Sequence, residues 1–188
     1  MFVLYAIPIG VLVGLLLGGR LEQLGELRLR WVPLILVGLA VQAAIYTDAA
    51  SGIVGSIGPA LYTASTAAVL VAVLRNVRVP GVAVIAVGAG CNLAAIVANG
   101  GWMPADASAL ASVGGLDAGY TNSIVVADPP LRLLTDLFAL PAWLPFANVF
   151  SVGDVLIGIG VAATIALAIR VSVPVAGSDD APAPVIRT

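Results

Sequence analysis

Asp136 and Asp154 stand eighteen residues apart in a chain with few other groups able to move a proton. The sequence has no histidine and no lysine, and all eight of its basic residues are arginine. That composition removes histidine acid–base catalysis, serine–lysine dyads, Schiff-base chemistry and the usual metal ligands. Aspartate is left as the main general acid or base. The single Cys91 lies in an apolar run, so no internal disulfide or thiolate cluster can form, and it reads as a small packing residue. No cofactor and no metal are expected. The arginines are too scattered, at a net charge of −2, to form a nucleic-acid stripe, so no nucleic-acid partner is expected either.

Asp154 opens an apolar run that continues to Ile169, and an acid at such a boundary is costly enough to point to a role. Asn92 and Asn99 are seven residues apart, or two helical turns, so they share one helix face. Asn92 would lie about 10 Å deeper along that helix. Each polar residue also has a purely structural role open to it. Asn92 can fix helix packing through an interhelical hydrogen bond. Ser151-x-x-Asp154 before an apolar run is a capping-box pattern. Arg132, one turn before Asp136, can pair with it at helical spacing for a few tenths of a kcal/mol.

The elements that must position these residues are apolar. Hydrophobic residues make up 61% of the 188 and charged residues 10%, so the chain reads as an all-α, polytopic membrane helix bundle. Five transmembrane helices are expected, at about Phe2–Gly19, Trp31–Tyr46, Pro59–Leu74, Val82–Ala98 and Val152–Ile169. The first has no basic region before it and no small-residue cleavage site after it, so it reads as an uncleaved span. Arg20, Arg28 and Arg30, then Arg75 and Arg78, then Arg170 mark three cytoplasmic connections, which puts the N-terminus outside and the C-terminus in the cytoplasm.

The same orientation places Asp48 and the segment 99–153 outside, where Asp106, Asp117, Asp128, Asp136 and Asp154 face a single arginine, Arg132. Pro129–Leu144 carries Leu, Phe and Trp between prolines and is expected to be an outer interfacial helix, with Trp102 and Trp143 as interface anchors. Residues 1–171 form one helical domain that includes this segment, and 172–188 form a disordered cytoplasmic tail. Gly10, Gly14 and Gly18 make a small-residue stripe, expected to pack inside the protomer. Gln42, Thr63, Ser65 and Thr66 are assigned hydrogen bonds within or between helices and no chemistry.

From Gly88 the chain reads G-A-G-C-N-L, then T-D-L-F around Asp136, then F-S-V-G-D-V-L-I-G-I-G at Asp154. Over residues 88–161 this resembles the C-terminal half of lipoprotein signal peptidase, the signal peptidase II family of bacterial membrane aspartyl proteases. That family shows G-A-x-G-N followed by D-R, then V-D-F, then F-N-x-A-D, with its catalytic aspartates in the last two motifs. The chain departs from it at Ala95 and Ile96, which stand for D-R, at Ser151 for the asparagine, and at Gly153 for the alanine. As a whole the chain also looks like a bacterial family of small multi-pass membrane proteins of unknown function.

The resemblance implies a catalytic pair, Asp136 and Asp154, with Asn92, Asn99 and Ser151 positioning the substrate or the pair. The partners expected are membrane lipids and a membrane-anchored protein substrate cut near the outer leaflet. The competing expectation is a non-enzymatic membrane protein, an assembly subunit or lipid-binding factor, that keeps the fold without catalysis. A transporter is disfavoured because the ionisable groups cluster at one face and do not form a path across the bilayer.

Overall fold

A computed structural model of the protein describes residues 2–45, 55–114 and 123–170. The expected tail at 172–188 and the expected outer acids Asp48 and Asp117 lie outside the described residues. Within them the chain is mostly helical, as composition requires. The long helices are α1 (Ala6–Leu16), α2 (Val32–Ile45), α3 (Gly58–Leu74) and α4 (Val82–Ala98), with a short α5 (Ala107–Ser112) and a final α6 (Val152–Ala168). α2 packs on α3, α3 on α4, α4 on α6 and α6 on α1. The longest helices have 17 residues, about 25 Å, and none among the described residues is long and apolar enough to cross a membrane.

Helix ends follow local chemistry. Pro8 has no N–H to give to Leu4, and the chain before α1 is a 3-10 turn, Phe2–Tyr5. Gly18, at φ +84°, ends the helix, with Gly19 N–H bonded to Gly14 O at 2.9 Å, the Schellman pattern. The first expected span is therefore shorter than Phe2–Gly19 as an α-helix. Gly10 and Gly14 lie against Ala162 of α6 and Ile169 just after it, where a Cβ would collide, so this part of the glycine stripe packs internally; Gly18 faces open space.

The α4–α6 contact is closer still. A Cβ on Gly88 would sit 2.5 Å from Gly153 O, and one on Gly81 would sit 2.7 Å from Gly160 O. The two glycines of each segment are seven residues apart, so the two helices meet antiparallel over two turns, with Ile85, Asn92, Ile157 and Thr164 packed into the room the glycines leave.

The segment 129–144 corrects one expectation. It is not an interfacial helix: only Arg132–Leu134 forms a 3-10 turn, and Phe138–Ala139 is extended. Leu131 takes a left-handed φ of 54° after the two prolines, and Thr135 is extended, so no helix can propagate. The backbone pairs instead. β1 (Met103–Pro104) runs parallel to β2 (Ser123–Ile124), an isolated parallel bridge joins Ala105 to Asp136, and β3 (Phe138–Ala139) is antiparallel to β4 (Val149–Phe150). Of the two expected anchors, Trp143 is exposed and Trp102 half-buried. Ala95 and Ile96 are fully buried in an apolar core with Ile45, Tyr62 and Met103.

Candidate functional site

A hairpin brings the two aspartates to one end of the bundle. β3 and β4 pair with Phe138 opposite Phe150, so Asp136 lies two residues before the pairing and Asp154 four residues after it. The rings of Phe138 and Phe150 stack at 5.5 Å, and Phe2 stacks on Phe150 at 4.5 Å, which ties the N-terminal turn to the strand that leads into α6. Tyr5 adds a hydrogen bond from its hydroxyl to Pro145 O.

Asp136 is held by its backbone. Its N–H donates to Pro104 O at 2.9 Å and its carbonyl accepts from Asp106 N–H at 2.9 Å. The preceding Thr135 is buried, its hydroxyl donating to Arg132 O at 2.7 Å to close the turn. The Asp136 residue is only 6% exposed, and its carboxyl makes no hydrogen bond among the described residues. Burial, and then the charge of Asp154, push that carboxyl from 3.8 up to about 8. The proton therefore stays on Asp136 at neutral pH.

Asp154 is held differently. Ser151 caps α6 in a full capping box: Asp154 N–H donates to Ser151 Oγ at 3.0 Å, and Ser151 N–H donates to Asp154 Oδ2 at 3.0 Å. Asn92 reaches across from α4, donating through Nδ2 to Asp154 Oδ1 at 2.9 Å. The Ser151 hydroxyl lies 2.8 Å from Asn92 Oδ1 and 3.1 Å from Asp154 Oδ2, and its one proton can serve only one of them at a time. Asn92 Oδ1 can only accept, so donation to Asn92 closes the triangle and leaves both carboxylate oxygens facing N–H donors.

Asn92, Ser151, Asp154 and Asp136 are thus gathered at one end of the helices, and Asn99 is not among them. Its Nδ2 donates to Ala95 O at 2.8 Å and to Pro130 O at 3.0 Å, which pins the end of α4 to the loop before Asp136. The Arg132–Asp136 ion pair that helical spacing would allow is not formed, because that stretch is not helical. Arg132 lies 3.7 Å from Asp106 instead. Asp106 caps α5 by accepting from Ser108 Oγ and from the N–H groups of Ala109 and Ser108, which hold its carboxyl below the usual range. A hollow of about 130 Å³ runs past Asp106, Arg132, Thr135 and Leu137. Thr135 and Leu137 flank Asp136 in extended chain, so their side chains leave the opposite face and this hollow is not the carboxyl's own surroundings.

Two contributors escape a reading by residue type. Residues 104–106 clamp Asp136 through main-chain atoms alone, which carry no side-chain signature. Gly153 gives Asn92 its room, and its seven-residue spacing to Gly160, matching Gly81 to Gly88, was the available signal.

The chain belongs to a family of unknown function (DUF5317), which matches residues 26–166 and so includes all of these site residues. No curated protein and no solved structure matches it.

Proposed function

We propose that this member of a family of unknown function is an integral membrane protein whose Asp136–Asp154 pair works as a proton-sharing dyad of the aspartyl-peptidase type, as its resemblance to lipoprotein signal peptidase implies. The observation that carries the reading is the Asp136 carboxyl, without a hydrogen bond among the described residues and raised to about 8 by burial and then by the charge of Asp154. Like charges in a poorly solvated place share one proton. With that proton on Asp136, its carboxylic acid polarises a scissile carbonyl, and Asp154 takes the proton of the attacking water. Asn92 and Ser151 hold Asp154 in position. The substrate class is a membrane-anchored protein segment cut at the outer leaflet.

The membrane reading is supported by what the helices leave uncovered. Leu12, Leu16, Leu36, Val37, Val87 and Ile159 are all more than half exposed along the helix faces, which suits lipid and not water. Reporter fusions after Gly114 are expected to read as external and fusions after Arg78 as cytoplasmic; the reverse pattern would overturn the topology.

The test of the dyad is a comparison of cells carrying the wild-type chain, Asp136→Asn or Asp154→Asn for accumulated uncut membrane precursors. Accumulation in both variants, with both proteins still folded in the membrane, is the expected result. A second reading, a non-enzymatic membrane protein, is favoured by the closed Asn92–Ser151–Asp154 triangle, which accounts for Asp154 as a lock between α4 and α6. Normal processing in Asp136→Asn cells would leave that reading in place.

A further inference from the structure

Three arginines meet at the opposite end of the helices from the aspartates. Arg30, just before α2, and Arg75 and Arg78, just after α3, line one hollow of about 450 Å³ together with Trp31, Val71 and Leu74. All three arginines are exposed, and none takes part in an ion pair among the described residues, where the ion pairs are Arg20–Glu22 and Arg132–Asp106. Like charges brought together without an acidic partner repel one another, and the fold holds them there nonetheless.

What holds them is Asn76, a buried side chain between Arg75 and Arg78. It accepts from Arg30 N–H at 2.7 Å and donates to Arg30 O at 2.8 Å, pairing with that backbone as another peptide would, and it also donates to Ala72 O at 2.8 Å. Trp31 follows in a left-handed conformation, φ 60°, that a bulky residue rarely adopts. That turn leaves Trp31 51% exposed on the wall of the hollow, beside Val71 and Leu74, which are 52% and 49% exposed. The place thus joins guanidinium groups suited to a phosphate with an uncovered apolar wall.

We propose that the hollow at Arg30, Arg75 and Arg78 binds the phosphate of an anionic phospholipid of the cytoplasmic leaflet, with Trp31 and Leu74 lying along its acyl chain. This rests on the membrane reading above but not on the dyad. A free phosphate would use the guanidiniums alone. The exposed Trp31, Val71 and Leu74 favour the lipid, because only an amphipathic ligand covers both halves of the site. Basic pockets between helices at the cytoplasmic side recognise anionic headgroups in this way.

The test uses the full chain extracted from membranes in non-ionic detergent, with lipid retention read by native mass spectrometry. Phosphatidylglycerol is expected to be retained over phosphatidylcholine, and excess inorganic phosphate should not displace it. Each single Arg→Gln change at 30, 75 or 78 should weaken retention about fivefold, and the triple change on the order of a hundredfold. Arg28→Gln, next to the site but outside the hollow, and Asp136→Asn should retain lipid as the wild type does. The triple Arg→Lys protein keeps the charges and loses the guanidinium forks, so it should retain lipid less well than the wild type and better than the triple Arg→Gln protein, which separates loss of charge from loss of fold.

Equal retention of the two lipids, or wild-type retention in the triple Arg→Gln protein, overturns the proposal. Full displacement by inorganic phosphate overturns it in favour of a soluble phosphate ligand. Release of the chain from membranes by alkaline carbonate is a separate result that removes the membrane reading itself.

Discussion

Gly153 lies directly against Asn92: a Cβ added at Gly153 would overlap the Asn92 amide oxygen and sit 2.8 Å from Gly88 O. Hydrogen in place of a methyl group at this one position lets α6 approach α4 closely enough for Asn92 to reach both Ser151 and Asp154. An alanine would not fit here, so the glycine is a working part of the arrangement.

Gly153→Ala should therefore destabilise the protein by about 1–3 kcal/mol, the cost of overpacking a closed contact. Asn92→Ala removes the overlapping group, so the double variant should be less destabilised than the sum of the singles, by about 0.5 kcal/mol or more. Thermal unfolding of the four proteins in detergent measures this coupling. Strict additivity would mean that Asn92 is not what Gly153 must avoid.

The pH dependence of stability follows from Asp136. Its carboxyl is raised from 3.8 to about 8, so between those values the folded state binds a proton that the unfolded chain has released. Stability contributed by the protonated carboxyl is present below the lower value and falls as pH rises toward the upper one, by at most about 1.4 kcal/mol per pH unit. Asp136→Asn keeps the shape and cannot ionise, so it should unfold with a flatter pH profile and be more stable than the wild type at pH about 8. Parallel profiles for the two proteins would show that Asp136 is ionised in the folded state.

The site was readable where its geometry is local. Ser151-x-x-Asp154 is a three-residue spacing, and the capping box forms as that spacing requires. The helices around Asn92 and Asp154 follow from uninterrupted apolar runs. Asp136 comes to the same end of the helices as Asp154, but on extended chain and not on the expected helix, because two-residue strands are defined by partners far away in sequence. Nothing within 129–144 announces that Asp136 will bond Pro104 and Asp106, and without that knowledge a run of Leu and Phe between prolines reads as a helix. The same distance hid Asp106 from Arg132, Pro130 from Asn99 and Arg30 from Asn76.

Asn76 makes the one side-chain bridge between the turn before α2 and the end of α3 in the hydrogen bonds described above. Asn76→Leu would leave the Arg30 N–H and carbonyl without their partner and remove the donor to Ala72 O. The expected loss is about 1–3 kcal/mol, and Asn76→Asp should also destabilise because its carboxylate cannot donate to Arg30 O. Unfolding midpoints within a degree of the wild type for both variants would rule out the bridge as a structural tie.

Asp136 and Asp154 should respond to each other's removal in a defined direction. Asp154→Asn takes away the like charge, so the Asp136 carboxyl should fall from about 8 yet stay above 3.8, because burial is the larger cause of its shift and remains. Direct titration of the Asp136 carboxyl by carbon-13 NMR reads the change. If the two act as one proton-sharing unit, Asp136→Asn and Asp154→Asn should each abolish precursor cleavage, and the double variant should be no worse than either single, since groups that act together do not contribute additively. An Asp136 titration that does not move when Asp154 is replaced would separate the two carboxyls electrostatically, and the capping role of Asp154 would then be sufficient to explain its place at the start of α6.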